Sequence, residues 1–140
     1  MEEEMYEGLY WLTLTALFTS FIWAVYVLNR FAAVGIFETL GNPKAGWPAL
    51  AEWAQRAKAA HTNAIENLIV FAPMVLVATI LPSDNLHQTV GYLAEIYFFA
   101  RVAHFITYTL GIAYVRTLAF LTGVYAQIAL AVSILMSFTA

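Results

Sequence analysis

Four apolar runs, each long enough to form a helix across a lipid bilayer, take up almost the whole sequence and are separated only by short polar breaks. A crossing of about 30 Å of hydrocarbon needs roughly 20 helical residues, so four crossings use nearly all of the 140 available. With 62% of residues hydrophobic and 11% charged, a soluble domain of this size would leave much apolar surface in water, whereas lipid accepts it. The expectation is an all-α, integral membrane four-helix bundle, one domain over residues 1–140, with no linker or appended soluble domain. Any chemistry must then be built from helix faces and the short loops joining them.

Breakers set the boundaries. The first span runs roughly from Tyr6 to Ala33, and Gly35 to Trp47, with Gly41, Pro43 and Gly46, reads as a loop. Pro48 suits the first turn of a second helix, which opens on Glu52, Gln55, Arg56 and Lys58 and continues to Ile80. The break at Leu81-Pro82-Ser83-Asp84-Asn85 leads into a third helix, His87 to Leu110, and the Gly111 region into a fourth reaching Phe138. Pro73, inside the second span, removes the hydrogen bond to the Ile69 carbonyl, which membrane helices tolerate.

The six lysines and arginines, Arg30, Lys44, Arg56, Lys58, Arg101 and Arg116, fall at or toward the ends joined by the first and third loops. The positive-inside rule makes those loops cytoplasmic and puts both termini and the second loop on the opposite side. The acidic start, Met1 to Met5, does not read as a cleaved signal. Six scattered cations offer no stripe for nucleic acid. The absence of cysteine excludes disulfides, thiolate metal sites and a protein-derived sulfur nucleophile, so thiol chemistry would need an exogenous thiol.

Two polar stripes interrupt the apolar pattern. Arg56, Asn63, Glu66 and Asn67 on the second helix are related by steps of three, four and seven, and Arg101, His104 and Tyr108 on the third by three and four, so each set shares a helical face. An ionisable residue inside a span costs several kcal/mol unless it faces protein or water, so Glu66 and Arg101 are expected to have partners. Interhelical glue and a functional site are both open readings of this network. His61 and His104 could also ligate a haem between helices, a less favoured alternative because nothing in the spacing makes the imidazoles face one another. Lys58 reads as a headgroup anchor, and the aromatic residues Trp11, Phe18, Phe21, Trp23 and Tyr26 as packing or lipid-facing groups.

The pattern Arg56-x4-His61-x-Asn63-x2-Glu66-Asn67, with Phe71-Ala72-Pro73 downstream, then Arg101-x2-His104-x3-Tyr108 and Arg116, resembles the MAPEG family (membrane-associated proteins in eicosanoid and glutathione metabolism), in its bacterial form. The resemblance implies a homotrimer with glutathione bound between neighbouring subunits near the cytoplasmic face. It implies glutathione contacts at Arg30, Asn63, Glu66, Arg101, His104 and Tyr108, a thiolate-stabilising role for Arg116, and Thr117 where some members have serine. The chain departs from the family at Ala59 and Thr62, where well-studied members carry arginines for the glutathione carboxylates, and at Phe120, a tyrosine in some members. Loss of that clamp would weaken glutathione binding, with Arg56 as a possible replacement. The expected function is a glutathione-dependent membrane transferase or peroxidase acting on lipophilic electrophiles, with lipids or lipophilic small molecules as partners and no metal. The alternative is a non-catalytic MAPEG-fold accessory subunit or lipid-binding module, and a small channel or transporter comes third.

Overall fold

The computed structural model describes residues 2–139, with side chains from Tyr6 onward. It contains six helices and, among the described residues, no strand: α1 (Glu2–Phe21), α2 (Trp23–Val34), α3 (Ile36–Leu40), α4 (Glu52–Ile80), α5 (Asp84–Leu110) and α6 (Ala113–Ser137). α1 and α2 form one nearly continuous rod. Ile22 between them keeps helical dihedrals, and its amide still reaches the Phe18 carbonyl at 3.2 Å. The rod ends at Gly35, whose φ of 89° lies in the region that favours glycine, and α3 is a single short turn beyond it.

α4 starts at Glu52, four residues later than the position of Pro48 suggests. The end of α2 holds the intervening chain extended: Arg30 donates to the Pro48 carbonyl at 2.6 Å, and Asn29 Oδ1 accepts from the Ala51 amide at 3.0 Å. The helix cap is thus borrowed from a neighbouring helix, which no local pattern could reveal. Pro73 lies inside α4, and the helix continues through it.

α5 begins with Ser83 Oγ accepting from the Leu86 amide at 3.4 Å and stops at Gly111, φ 79° and ψ 22°. There the Ile112 amide reaches Thr107 O and the Gly111 amide reaches Tyr108 O, at 2.9 and 3.0 Å, the paired bonds of a Schellman turn. Only Gly111 and Ile112 separate α5 from α6, which forces the two helices into an antiparallel pair.

α5 is the centre of the bundle, packing against α1, α4 and α6, whereas the α1 and α6 backbones do not approach closely among the described residues. Small residues let the backbones approach: Ala54, Ala57, Ala60 and Ala64 are buried along α4, the stripe of small residues expected where packing rather than hydrophobicity joins helices in lipid. One core cluster is built around Phe71 and Tyr97, whose rings stack at 3.7 Å with planes 13° apart. A second joins Ile22, Ala57, Ala60, Ala64 and Phe105.

Much of the exterior along the helices is apolar. Leu17, Phe21, Ile69, Val77, Phe99, Leu118, Ile128 and Leu135 are all exposed large hydrophobic residues, a surface suited to lipid and not to water. Among the described residues, three stretches are long and apolar enough to cross a membrane: Tyr6–Val34, Glu52–Ile80 and Ala113–Ser137. α5 is of similar length but falls outside this group. It carries Asp84, His87, Glu95, Arg101 and His104, and its central position hides three of these, His87, Arg101 and His104.

Candidate functional site

Five of the six cations, Arg30, Lys44, Arg56, Lys58 and Arg116, lie at the end of the bundle carrying the α2–α4 and α5–α6 connections, here the basic end, and Arg101 lies nine residues inside the end of α5. Arg101 is 2% exposed. Its Nη1 donates to Asn63 Oδ1 on α4 at 3.3 Å and its Nη2 to the Phe120 carbonyl on α6 at 3.4 Å. The Tyr97 and Phe120 rings approach its Cζ at 5.0 and 5.5 Å, within the range of cation–π attraction. Its Nε has no partner. Among the described residues no carboxylate pairs with it, so the charge is held by aromatic faces and carbonyl dipoles.

Asn63 extends the network sideways. Its own carbonyl accepts from Asn67 Nδ2 at 2.8 Å, and the Asn67 carbonyl accepts from Gln127 Nε2 at 2.9 Å. α6 contributes Phe120, Gly123 and Gln127, spaced three and four apart and therefore on one face. Gly123 is essential to the packing, because a Cβ there would run into the Arg101 guanidinium. That glycine and Gln127 escaped the sequence reading, although their spacing from Phe120 is a usable signal.

From Arg101 toward the basic end the side chains form a ladder. His104, buried, meets the Phe120 ring at 5.9 Å and the Tyr108 ring edge-on at 5.5 Å. The Arg116 guanidinium sits 4.4 Å from the Tyr108 ring centroid. Arg116 belongs to the first turn of α6, where unpaired backbone amides and the helix dipole add to its positive field. Arg56 Nε donates to the Thr109 carbonyl at 3.1 Å, so this cation stands at the negative end of the α5 dipole. Thr117 is exposed, and its hydroxyl donates to the Ala113 carbonyl at 3.0 Å, which leaves only its lone pairs for a ligand.

Glu66 stands apart from this ladder, against the expectation that it shares a helical face with Asn63. It is exposed and makes no hydrogen bond or ion pair with a described side chain. It continues the stripe Gln55–Ala59–Thr62–Glu66, at steps of four, three and four, which runs beside the inward stripe of Arg56, Asn63 and Asn67. Two pockets flank this stripe. One, of about 440 Å³, is lined by Arg30, Leu50, Gln55, Lys58, Ala59 and Thr62; the other, of about 380 Å³, by Glu52, Gln55, Arg56, Ala59 and Tyr108. Arg30 therefore borders a pocket on the exposed stripe of α4, beside the face from which Asn63 reaches Arg101, with its Cζ 5.5 Å from the Trp47 ring.

The two histidines have different neighbours. His61 Nδ1 lies 3.0 Å from the Tyr26 hydroxyl on α2, while His104 packs against α6. This arrangement does not make a facing axial pair for a haem.

A model of the MAPEG family matches residues 8–136. The chain belongs to the MAPEG family. No curated protein matches the sequence. Within this MAPEG chain, the positions singled out from the sequence divide into two groups. Asn63, Arg101, His104, Tyr108 and Arg116 form one connected network, and Arg56 joins it beside Tyr108. Arg30 and Glu66 border the exposed stripe, where Ala59 and Thr62 leave open volume. Phe120 supplies a ring and a carbonyl to Arg101, and neither contribution needs the hydroxyl of a tyrosine.

Proposed function

We propose that this MAPEG protein is a glutathione-dependent membrane transferase or peroxidase acting on lipophilic electrophiles. In this reading it is a homotrimer with α5 as a fourth membrane-crossing helix, the basic end cytoplasmic and both termini on the other side. The observation that carries the reading is the placement of Arg116: a cation without a carboxylate partner among the described residues, resting on Tyr108 at the amino-terminal turn of α6. Guanidinium charge and helix dipole both favour an anion at that point.

The residues fit the thiol end of glutathione better than its carboxylate end. Glutathione supplies the sulfur nucleophile that a cysteine-free chain lacks. Arg116 holds the sulfur in its anionic form, and His104 and Tyr108 wall the position. Arg101, fixed by Asn63 and Phe120, keeps a positive field beneath it. The thiolate attacks an electrophilic carbon delivered from the bilayer; a carbon–sulfur bond forms, and the displaced group departs with the electron pair of the broken bond. The carboxylates then face Arg30 and Lys58 across the Ala59 and Thr62 opening.

The exposed Gln55–Ala59–Thr62–Glu66 stripe supports the trimer, since a carboxylate facing hydrocarbon costs several kcal/mol and a second subunit or a polar ligand removes that cost. A second reading, a non-catalytic MAPEG-fold accessory subunit or lipid-binding module, is favoured by two observations: the open volume at Ala59 and Thr62, and the commitment of the Thr117 hydroxyl to Ala113. Calorimetric titration of the solubilised protein with glutathione, followed by an assay of conjugation to a lipophilic halonitroarene, separates the two. Binding with turnover upholds the transferase; a monodisperse protein that neither binds nor turns over supports the accessory reading.

A further inference from the structure

Glu95 takes no part in the network around Arg101. It lies eleven residues from the start of α5 and fifteen from its end, which puts it roughly 16 and 22 Å from the two at 1.5 Å per residue, near the middle of the helix. It is only partly buried and makes no hydrogen bond or ion pair with a described residue. A groove of about 410 Å³ runs past it between α5 and α6, walled by Phe99, Ala100, Ala103, Ala119 and Thr122. The small alanine side chains leave room in this groove for an extended hydrocarbon chain. The only polar side chains in it are Glu95 and Thr122, and the Thr122 hydroxyl donates to the Leu118 carbonyl at 2.9 Å. Both groups therefore present lone pairs to the groove.

A mid-membrane carboxylate without a cation costs several kcal/mol and, as a rule, marks a function or a partner. An apolar channel with hydrogen-bond acceptors at one point is complementary to a long apolar body with a charged donor. We propose that the α5–α6 groove at Glu95 binds lipophilic amines taken from within the bilayer, the ammonium held by Glu95 and Thr122 and the alkyl chain lying along Phe99, Ala103 and Ala119. Neutralising a carboxylate and an ammonium against each other relieves both charges in a medium where neither is solvated. The inference depends on α5 lying in the bilayer and is independent of glutathione chemistry.

The test uses the full chain in phosphatidylcholine nanodiscs, a long-chain primary amine carrying a diazirine on its alkyl chain, and peptide mapping of the photolabel. The expected result is labelling of the segments around Phe99, Ala103 and Ala119, displaced by dodecylamine and not by dodecanol. Glu95→Gln should weaken labelling roughly tenfold, the effect of losing one charge-assisted hydrogen bond, while Glu66→Gln leaves it unchanged. Ala103→Phe, which fills the groove and keeps Glu95, should abolish it, so the result does not depend on the folding of a single variant. The proposal is overturned by equal labelling in Glu95→Gln, by equal displacement with dodecanol, or by labelling confined to other surfaces. Cross-linking of Phe99 or Ala103 to a second copy of the chain, with no amine label in the groove, also overturns it.

Discussion

Replacing Gly123 by alanine tests the placement of Arg101 through the sign of a stability change. Alanine is the better helix former, by about 1 kcal/mol in a helix interior, so a glycine with free space beside it would be improved. At Gly123 the added Cβ would overlap the Arg101 guanidinium, lying 2.8 Å from both Cζ and Nε. A guanidinium in open solvent would swing aside at little cost. This one is 2% exposed and held between the Tyr97 and Phe120 rings, so it must give up its bonds to Asn63 and Phe120 or force the helices apart. Overpacking of this kind costs about 1–3 kcal/mol. Hydrogen bonds from a charged donor are worth about 1.5–3 kcal/mol each, with these two at the low end because they are long, at 3.3 and 3.4 Å. After the helix-propensity gain, either route leaves a net loss of up to about 2 kcal/mol. Reversible unfolding in mixed detergent micelles measures it. In an Arg101→Ala background the same change should be neutral or stabilising, and the cycle gives the coupling directly. A Gly123→Ala variant more stable than the parent would refute the arrangement.

Three further outcomes follow from the packing. Phe71→Ala removes the ring stacked on Tyr97 at the centre of the larger core cluster and should cost about 3–5 kcal/mol in the same unfolding assay. Gly111→Ala places a side chain at a positive φ and within 3.4 Å of Arg56; a loss of about 1–2 kcal/mol is expected, with faster amide exchange at Ile112 as its local signature. Tyr26→Phe removes the bond to His61 Nδ1 and should cost about 1 kcal/mol, with the imidazole resonances of His61 shifting and those of His104 unchanged.

The sequence exposed much of this architecture because its signals are local. Long apolar runs, the breaks at Gly35 and Gly111 and the gathering of cations at one end all act within a few residues, and the structure follows them. The shared face of Arg101, His104 and Tyr108 was legible for the same reason, since helical period alone determines it. What a helix face meets is decided by other helices, and there the pattern ran out. Glu66 and Asn63 lie three residues apart, yet one points outward and the other reaches Arg101. The start of α4 is set by Asn29 and Arg30, twenty or so residues upstream. α5 reads as one more apolar span, and only its central position explains how it tolerates so many polar groups. Gly123 and Glu95 went unnoticed because each has meaning only against a neighbouring helix.

In the proposed function, Arg116 creates a thiolate site at the basic end. Ultraviolet absorbance of glutathione thiolate, followed on titrating glutathione into the purified protein at neutral pH, tests it most directly. A saturable thiolate signal is expected in the parent, disappearing in Arg116→Ala while calorimetric glutathione binding persists. A folded parent that binds glutathione without a thiolate signal, or an Arg116→Ala variant with the parent's signal, would contradict it.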